Sequence, residues 1–248
     1  MTAREMQMEF ERRIQLMNPA FELKEKVTSD TIFSFLNAYT ERYVRNNYLQ
    51  EDMVQDGTRA QKKNADALKG LVVRGLFAVE NADADNTDKT TDRVSLPEDY
   101  FLYIRSNSLL SKMYKIEEEI ENENEYVVAP NKPIREDDVE KIISTYYNKA
   151  IILTPYVVLN AGNVTDEAES LFVNIIHDTY TIVKKLDLVY YRKPKKFDVI
   201  GVDGETVLDH CELPENVHME IVEGAVEMFI TEAKYRLAGT GDRRNNEE

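Results

Sequence analysis

The stretch Gly70-Leu71-Val72-Val73-Arg74-Gly75-Leu76-Phe77-Ala78-Val79 decides how the chain divides. It is β-branched and glycine-bounded, the mark of a strand, and it follows a region whose apolar residues recur at helical spacing. Upstream, Met6, Phe10, Ile14 and Met17 fall four, four and three residues apart, so residues 2–17 are predicted as a helix that ends at Asn18-Pro19. Ser29 is expected to cap a second helix over residues 30–50, with Ile32, Leu36, Tyr39 and Tyr43 on one stripe and Phe33 and Val44 widening it. A third, polar helix is expected over residues 59–68.

Downstream the texture stays strand-like. Residues 81–92 are nearly devoid of apolar side chains and are read as a mobile loop, and short apolar pieces follow over 94–104 and 109–116. An acidic run, 117–125, precedes Tyr126-Val127-Val128, and Pro130 and Pro133 lead into a short helix over 137–147. Strands are expected over 151–160, 171–176, 180–183 and 186–191, the last two as half-buried strands with Tyr180, Ile182, Leu186, Leu188 and Tyr190 alternating. After Pro214, Val217, Ile221, Val222, Ala225, Met228 and Phe229 mark an amphipathic helix that Gly239 is expected to stop, leaving 240–248 as a disordered tail. The predicted class is α+β: residues 1–69 and 212–239 form a helical bundle, and 70–211 form a β-rich domain inserted between them.

Composition narrows the function. The chain has 248 residues, 42% hydrophobic and 31% charged, enough for a real core. Its net charge of −15 argues against nucleic-acid binding for affinity, which needs cations at the phosphates. No apolar run approaches the length of a membrane helix, and the charged start, Met1-Thr2-Ala3-Arg4-Glu5, has no apolar signal core behind it, so neither membrane insertion nor cleaved export is expected. The single cysteine, Cys211, rules out an internal disulfide and suits a reducing compartment.

The search for chemistry returns little. There is no glycine-rich phosphate loop and no G-x-S-x-G elbow. The histidines are His177, His210 and His218. His210, Cys211 and His218 lack the paired spacing of a zinc site, and Cys211 beside His210 reads better as a small core residue than as a nucleophile. His177-Asp178 reads as a surface histidine rather than an oriented base. Asp83, Asp85 and Thr87 open like a calcium loop, but Asp88 stands where glycine is needed and Val94 where glutamate is needed. No catalysis, cofactor or metal is expected. The sharper reading of the acidic run, that it lines a channel and repels DNA, ranks behind a solvated loop.

Two places combine positive charge with tyrosine on this acidic chain. One is Arg42, Tyr43 and Arg45 near the end of the second helix, and the other is Tyr190, Tyr191, Arg192, Lys193, Lys195 and Lys196. Arginine and tyrosine are frequent interface anchors, and an acidic protein recruits an acidic partner through local positive patches. These nine residues are the candidate protein–protein interface.

Longer stretches carry a resemblance. MTAREMQMEFERR (1–13), SDTIFSFLN (29–37), ERYV (41–44), LPEDYF (96–101), VYYRKPKK (189–196) and CELPENVHMEIVEGAV (211–226) resemble, in order and spacing, structural proteins of crAss-like bacteriophages. The collinearity covers residues 1 to about 237, and none of the pieces is a catalytic signature. The acidic insert 81–92 departs from the common pattern. The resemblance implies a ring protein of the portal–tail barrel, similar in role to the adaptor rings of short-tailed phages. It further implies a dodecamer whose partners are its own copies, the portal protein and neighbouring tail rings, with genomic DNA passing without specific binding. Such a protein belongs to the virion, at the portal vertex, and is assembled in the host cytoplasm. The alternative is an accessory or assembly protein that attaches elsewhere on the particle.

Overall fold

The chain opens on a capping box. The Thr2 N–H donates to Glu5 Oε2 at 2.8 Å, and the Glu5 N–H donates to Thr2 Oγ1 at 3.3 Å. This launches α1, Ala3–Met17, whose stripe of Ala3, Met6, Phe10 and Ile14 is buried. The computed structural model describes residues 1–17, 27–53, 66–79, 91–112, 126–144, 154–161, 171–178, 181–199 and 208–244. The acidic run 117–125, most of the polar helix (59–65), the loop 81–90, the Asn18-Pro19 stop, the strand start 151–153 and the tail end 245–248 lie outside them.

The described chain is mixed α and β, with helices at both ends and strands between. After α1 come α2, Ser29–Met53; a short 3-10 turn, Lys69–Leu71; strands β1, Val72–Ala78, β2, Thr91–Ser95, β3, Tyr100–Lys112, β4, Val127–Pro130, and β5, Lys132–Ile134; helix α3, Glu136–Ser144; strands β6, Tyr156–Ala161, β7, Leu171–Ile176, and β8, Thr181–Arg192; and helix α4, Glu215–Arg244. No helix among the described residues is long and apolar enough to cross a membrane.

The chain divides into two units. The first comprises Met1–Leu71 and Lys193–Glu248, the second Val72–Arg192. Residues 193–211, expected with the strands, therefore belong with the helices. The reason is a local anchor: Phe197 is buried against Phe33 of α2, ring to ring at 6.2 Å and 87°. Within this unit α4 packs on both α1 and α2. Phe229 meets Phe10 at 5.9 Å and Phe35 at 5.3 Å, both edge to face. The cap of α2 is Thr28, not Ser29, because the Thr31 N–H donates to Thr28 Oγ1 at 3.3 Å. Helix α4 also runs through Gly239 to Arg244, so residues 240–244 are helical rather than a disordered tail. A glycine costs about 1 kcal/mol inside a helix, which weakens a helix without ending it.

Among its described residues the second unit forms two four-stranded sheets, β1-β8-β3-β4 and β2-β7-β6-β5. Its core joins both: Tyr103, Leu110, Ala129, Val183, Leu186, Leu188 and Tyr190 of the first with Val94, Val157, Val173 and Ile175 of the second. Thr91 and Asp92, expected in the loop, begin β2, and the expected strands 180–183 and 186–191 are one strand, β8. Asn131 turns the corner between sheets. Its N–H donates to the Ser106 carbonyl at 3.1 Å, while its side chain bonds the Ser106 and Ser108 hydroxyls at 2.9 and 2.7 Å. All three residues are buried, so this polar network is closed on itself.

Candidate protein–protein interface

Helix α2 faces its core with Ile32, Phe33, Leu36, Tyr43 and Val44. Thr40 and Asn47 are also buried, and each is satisfied within the helix: Thr40 Oγ1 donates to the Leu36 carbonyl at 2.8 Å, and Asn47 Nδ2 to the Tyr43 carbonyl at 3.0 Å. Arg42 and Arg45 are exposed, three residues apart on the same side. Arg42 lines a cleft of about 540 Å³ between α2 and α4, with Tyr39, Asn46, Gly224, Glu227, Met228 and Thr231. Gly224 of α4 lies against Tyr39 of α2 in this lining. A Cβ at position 224 would overlap the outer end of the Tyr39 ring, at Cζ, Cε2 and the hydroxyl oxygen. Burial raises the Tyr39 phenol above its usual range, Glu220 adds to the rise, and Arg42 opposes it.

The second basic stretch is tied to the same helix. Asn37 of α2 grips the backbone of Phe197 at both ends, Nδ2 donating to its carbonyl and Oδ1 accepting its N–H, each at 3.1 Å. Lys193 lies 3.7 Å from Glu41, the neighbour of Arg42, and the Lys195 N–H donates to Glu212 at 3.0 Å. Arg42, Arg45, Lys193, Lys195 and Lys196 are thus exposed residues of one unit, from two stretches 150 positions apart in sequence. Glu41 lies beside Lys193 and Glu212 holds the Lys195 backbone, so both signs of charge meet there.

The tyrosines belong elsewhere. Tyr43, Tyr190 and Tyr191 are core residues at 7%, 3% and 5% exposure, which removes them from any surface the folded chain presents. Tyr190 stacks on Tyr100 at 5.6 Å and donates its hydroxyl to Asp99 at 2.9 Å; burial first and Asp99 second push its pKa up to about 12. Tyr190, Tyr191 and the half-buried Arg192 close β8 in the second unit, and the lysines that follow them are part of the first.

Among the described residues, His177 belongs to the second unit, while Cys211 and His218 of the first both feel the N-terminal amino group. His177 is buried, not at the surface: Nδ1 donates to the Asp178 carbonyl at 2.7 Å, and Nε2 lies 3.1 Å from Asp92 Oδ2, close enough for an ion pair but off the line of a hydrogen bond. Burial lowers the pKa of this imidazole, but Asp92 and the Asp178 carbonyl outweigh burial and leave it raised. His218 is buried in the helical unit, its Nε2 donating to the Leu213 carbonyl at 2.6 Å and its Nδ1 2.9 Å from the Met1 amino group. Burial, chiefly, lowers its pKa, which keeps it neutral. His210 is exposed and meets Asp209 at 2.6 Å. Cys211 is buried, and burial pushes its thiol up to about 11, the reverse of an activated nucleophile. Among the described residues no three His, Cys, Asp or Glu side chains are placed to hold a metal ion.

Other surface features carry no composition signal and surface only in three dimensions. Arg74 donates to both carboxylate oxygens of Asp187, Nε at 2.8 Å and Nη2 at 2.7 Å, and so neutralises an acid that is 5% exposed. Large apolar side chains stand exposed on the outer side of α1, at Met8 and Leu16, and on the first sheet, at Val72, Leu76 and Val128. No family model matches the chain, and no curated protein sequence matches it.

Proposed function

We propose that this chain is a structural, non-enzymatic subunit of a crAss-like bacteriophage particle, forming a ring between the capsid portal and the tail around the DNA path. The observation that carries the proposal is the exposure of large apolar side chains in both units: Met8 and Leu16 at 55% and 71% on α1, Leu76 and Val128 at 64% and 61% on the first sheet. Side chains of this size on the outside of regular elements are available for burial against a neighbouring subunit. A ring needs two different patches on each subunit, and the two units offer distinct surfaces for them. The collinear resemblance over residues 1 to about 237 supplies the kind of particle. The net charge of −15 suits a channel wall that must not hold DNA.

The test is to locate the chain in purified particles by electron microscopy, using a tag fused after Glu248. Label at one vertex per particle is expected. Label spread over the shell supports the accessory reading instead, and particles without label overturn both.

A further inference from the structure

We propose that the sheet β1-β8-β3-β4 continues from one copy of the chain into the next, β4 of one copy pairing antiparallel with β1 of its neighbour. Three observations converge on this junction. The first is strand polarity. Every neighbouring pair in the sheet is antiparallel, β1 with β8, β8 with β3 and β3 with β4. With four strands, the two edges β1 and β4 therefore run in opposite directions. Placed side by side by a simple rotation of copies, they meet antiparallel, and the alternation is unbroken.

The second is which side chains the edges display. Val73 and Phe77 of β1 point to the sandwich core, so Val72, Arg74, Leu76 and Ala78 point outward. The cross-strand rows carry that face to the far edge: Leu76 opposes Asp187, Asp187 opposes Asn107 and Asn107 opposes Pro130, while Ala78, Lys185, Leu109 and Val128 form the next row. Val128 therefore lies on the same face as Val72 and Leu76. Their exposures are 61%, 41% and 64%, and pairing the two edges sets these apolar side chains beside one another.

The third is the contrast with the other sheet. Its edge β2 carries Asp92 and Arg93, and its edge β5 is three residues long with Pro133 at the centre. Charge, shortness and proline are the usual guards of an edge against pairing. In that sheet β5 is parallel to β6, so its two edges run the same way and do not extend the antiparallel order. On the first sheet the guards among the described residues are Pro130, at the very end of β4, and Arg74 of β1, whose guanidinium is drawn back onto Asp187 of β8.

A β4-to-β1 contact joins two different patches, so it builds an open series of copies rather than a closed pair. Closure of that series into a ring rests on the proposal above; the junction itself does not. Four residues of strand bury far less than the roughly 800 Å² per partner of a standard interface, so the junction fixes register within a larger contact.

Covalent trapping tests it on the full chain. Leu76→Cys and Val128→Cys are both exposed positions, and the native Cys211 is buried. Mild oxidation of the double variant is expected to give a ladder of dimers, trimers and higher species joined through positions 76 and 128, with neither single variant giving more than traces of dimer. Single variants that cross-link as fast as the double, or a double variant that stays monomeric, overturn the junction. Circular dichroism on each variant separates lost pairing from lost folding, and Val128→Asp added to Leu76→Cys provides a folded control without the ladder. A ring seen in particles that gives no 76–128 bond sinks the junction alone; a ladder from a chain absent from particles sinks the ring alone.

Discussion

An alanine at position 224 would overlap the outer end of the Tyr39 side chain, so two opposing effects can be weighed at one residue. Gly→Ala inside a helix is normally stabilising by about 1 kcal/mol. Because Tyr39 is half-buried and lines the open cleft, its ring is expected to swing aside, and Gly224→Ala should change stability by less than about 1 kcal/mol in urea unfolding. A loss of about 2 kcal/mol or more would mean that the Tyr39 ring is held where it lies. His177 supplies the second residue-scale prediction. Its folded pKa is raised above 6.5, so its interaction with Asp92 contributes stability that is full below about pH 6.5 and is lost as pH rises through the folded value. Asp92→Asn removes the ion pair and leaves burial opposed only by Asp178, so NMR titration should show the His177 pKa falling from its wild-type value; an unchanged value would deny Asp92 its part. Neither residue was legible in sequence, where Gly224 is one glycine of nine and His177 sits beside a different aspartate from the one it meets.

Strand β8 explains why one element reads as two. Leu109 opposes Lys185 and Leu110 opposes Val183, so Lys184 is an extra residue with no partner on β3. This bulge switches the inward phase from Val183 on one side to Leu186, Leu188 and Tyr190 on the other. A period-two pattern broken in phase looks like two strands with a turn between, and it assigns Ile182 rather than Val183 to the core. Asp187 misleads in a second way, since a polar residue in an alternating strand reads as solvent-facing and here lies under Arg74. Elements without such breaks are plainer: the four-residue spacing of α1 and the apolar run of β7, Leu171–Ile176, both fall where their patterns place them. Deleting Lys184 should therefore be far worse than truncating it. Lys184→Ala is expected within about 0.5 kcal/mol of wild type, while the deletion rotates half of β8 out of the core and should abolish the cooperative unfolding transition. A deletion as stable as the truncation would contradict the bulge.

At the scale of the molecule, the helix–strand–helix order was legible because hydrophobic period changes sharply at Gly70 and again near Pro214. The place of residues 193–211 was not, since it depends on Phe197 and Asn37 meeting across 160 positions. The candidate interface was half legible for the same reason: charge stays at the surface wherever the chain goes, whereas Tyr43, Tyr190 and Tyr191 are large enough to be taken into a core. Of the nine candidate residues, Arg42, Arg45, Lys193, Lys195 and Lys196 are the ones that stay exposed. Arg42→Glu, Lys193→Glu and Lys195→Glu together should leave circular dichroism unchanged yet reduce incorporation into particles at least tenfold; normal incorporation of the folded triple variant would remove them from the interface. The most direct test of the connector ring itself is a count of copies by quantitative mass spectrometry of purified particles. A ring matched to the portal predicts about a dozen copies of this chain per particle, equal to the portal count. Hundreds of copies, or none, would contradict it.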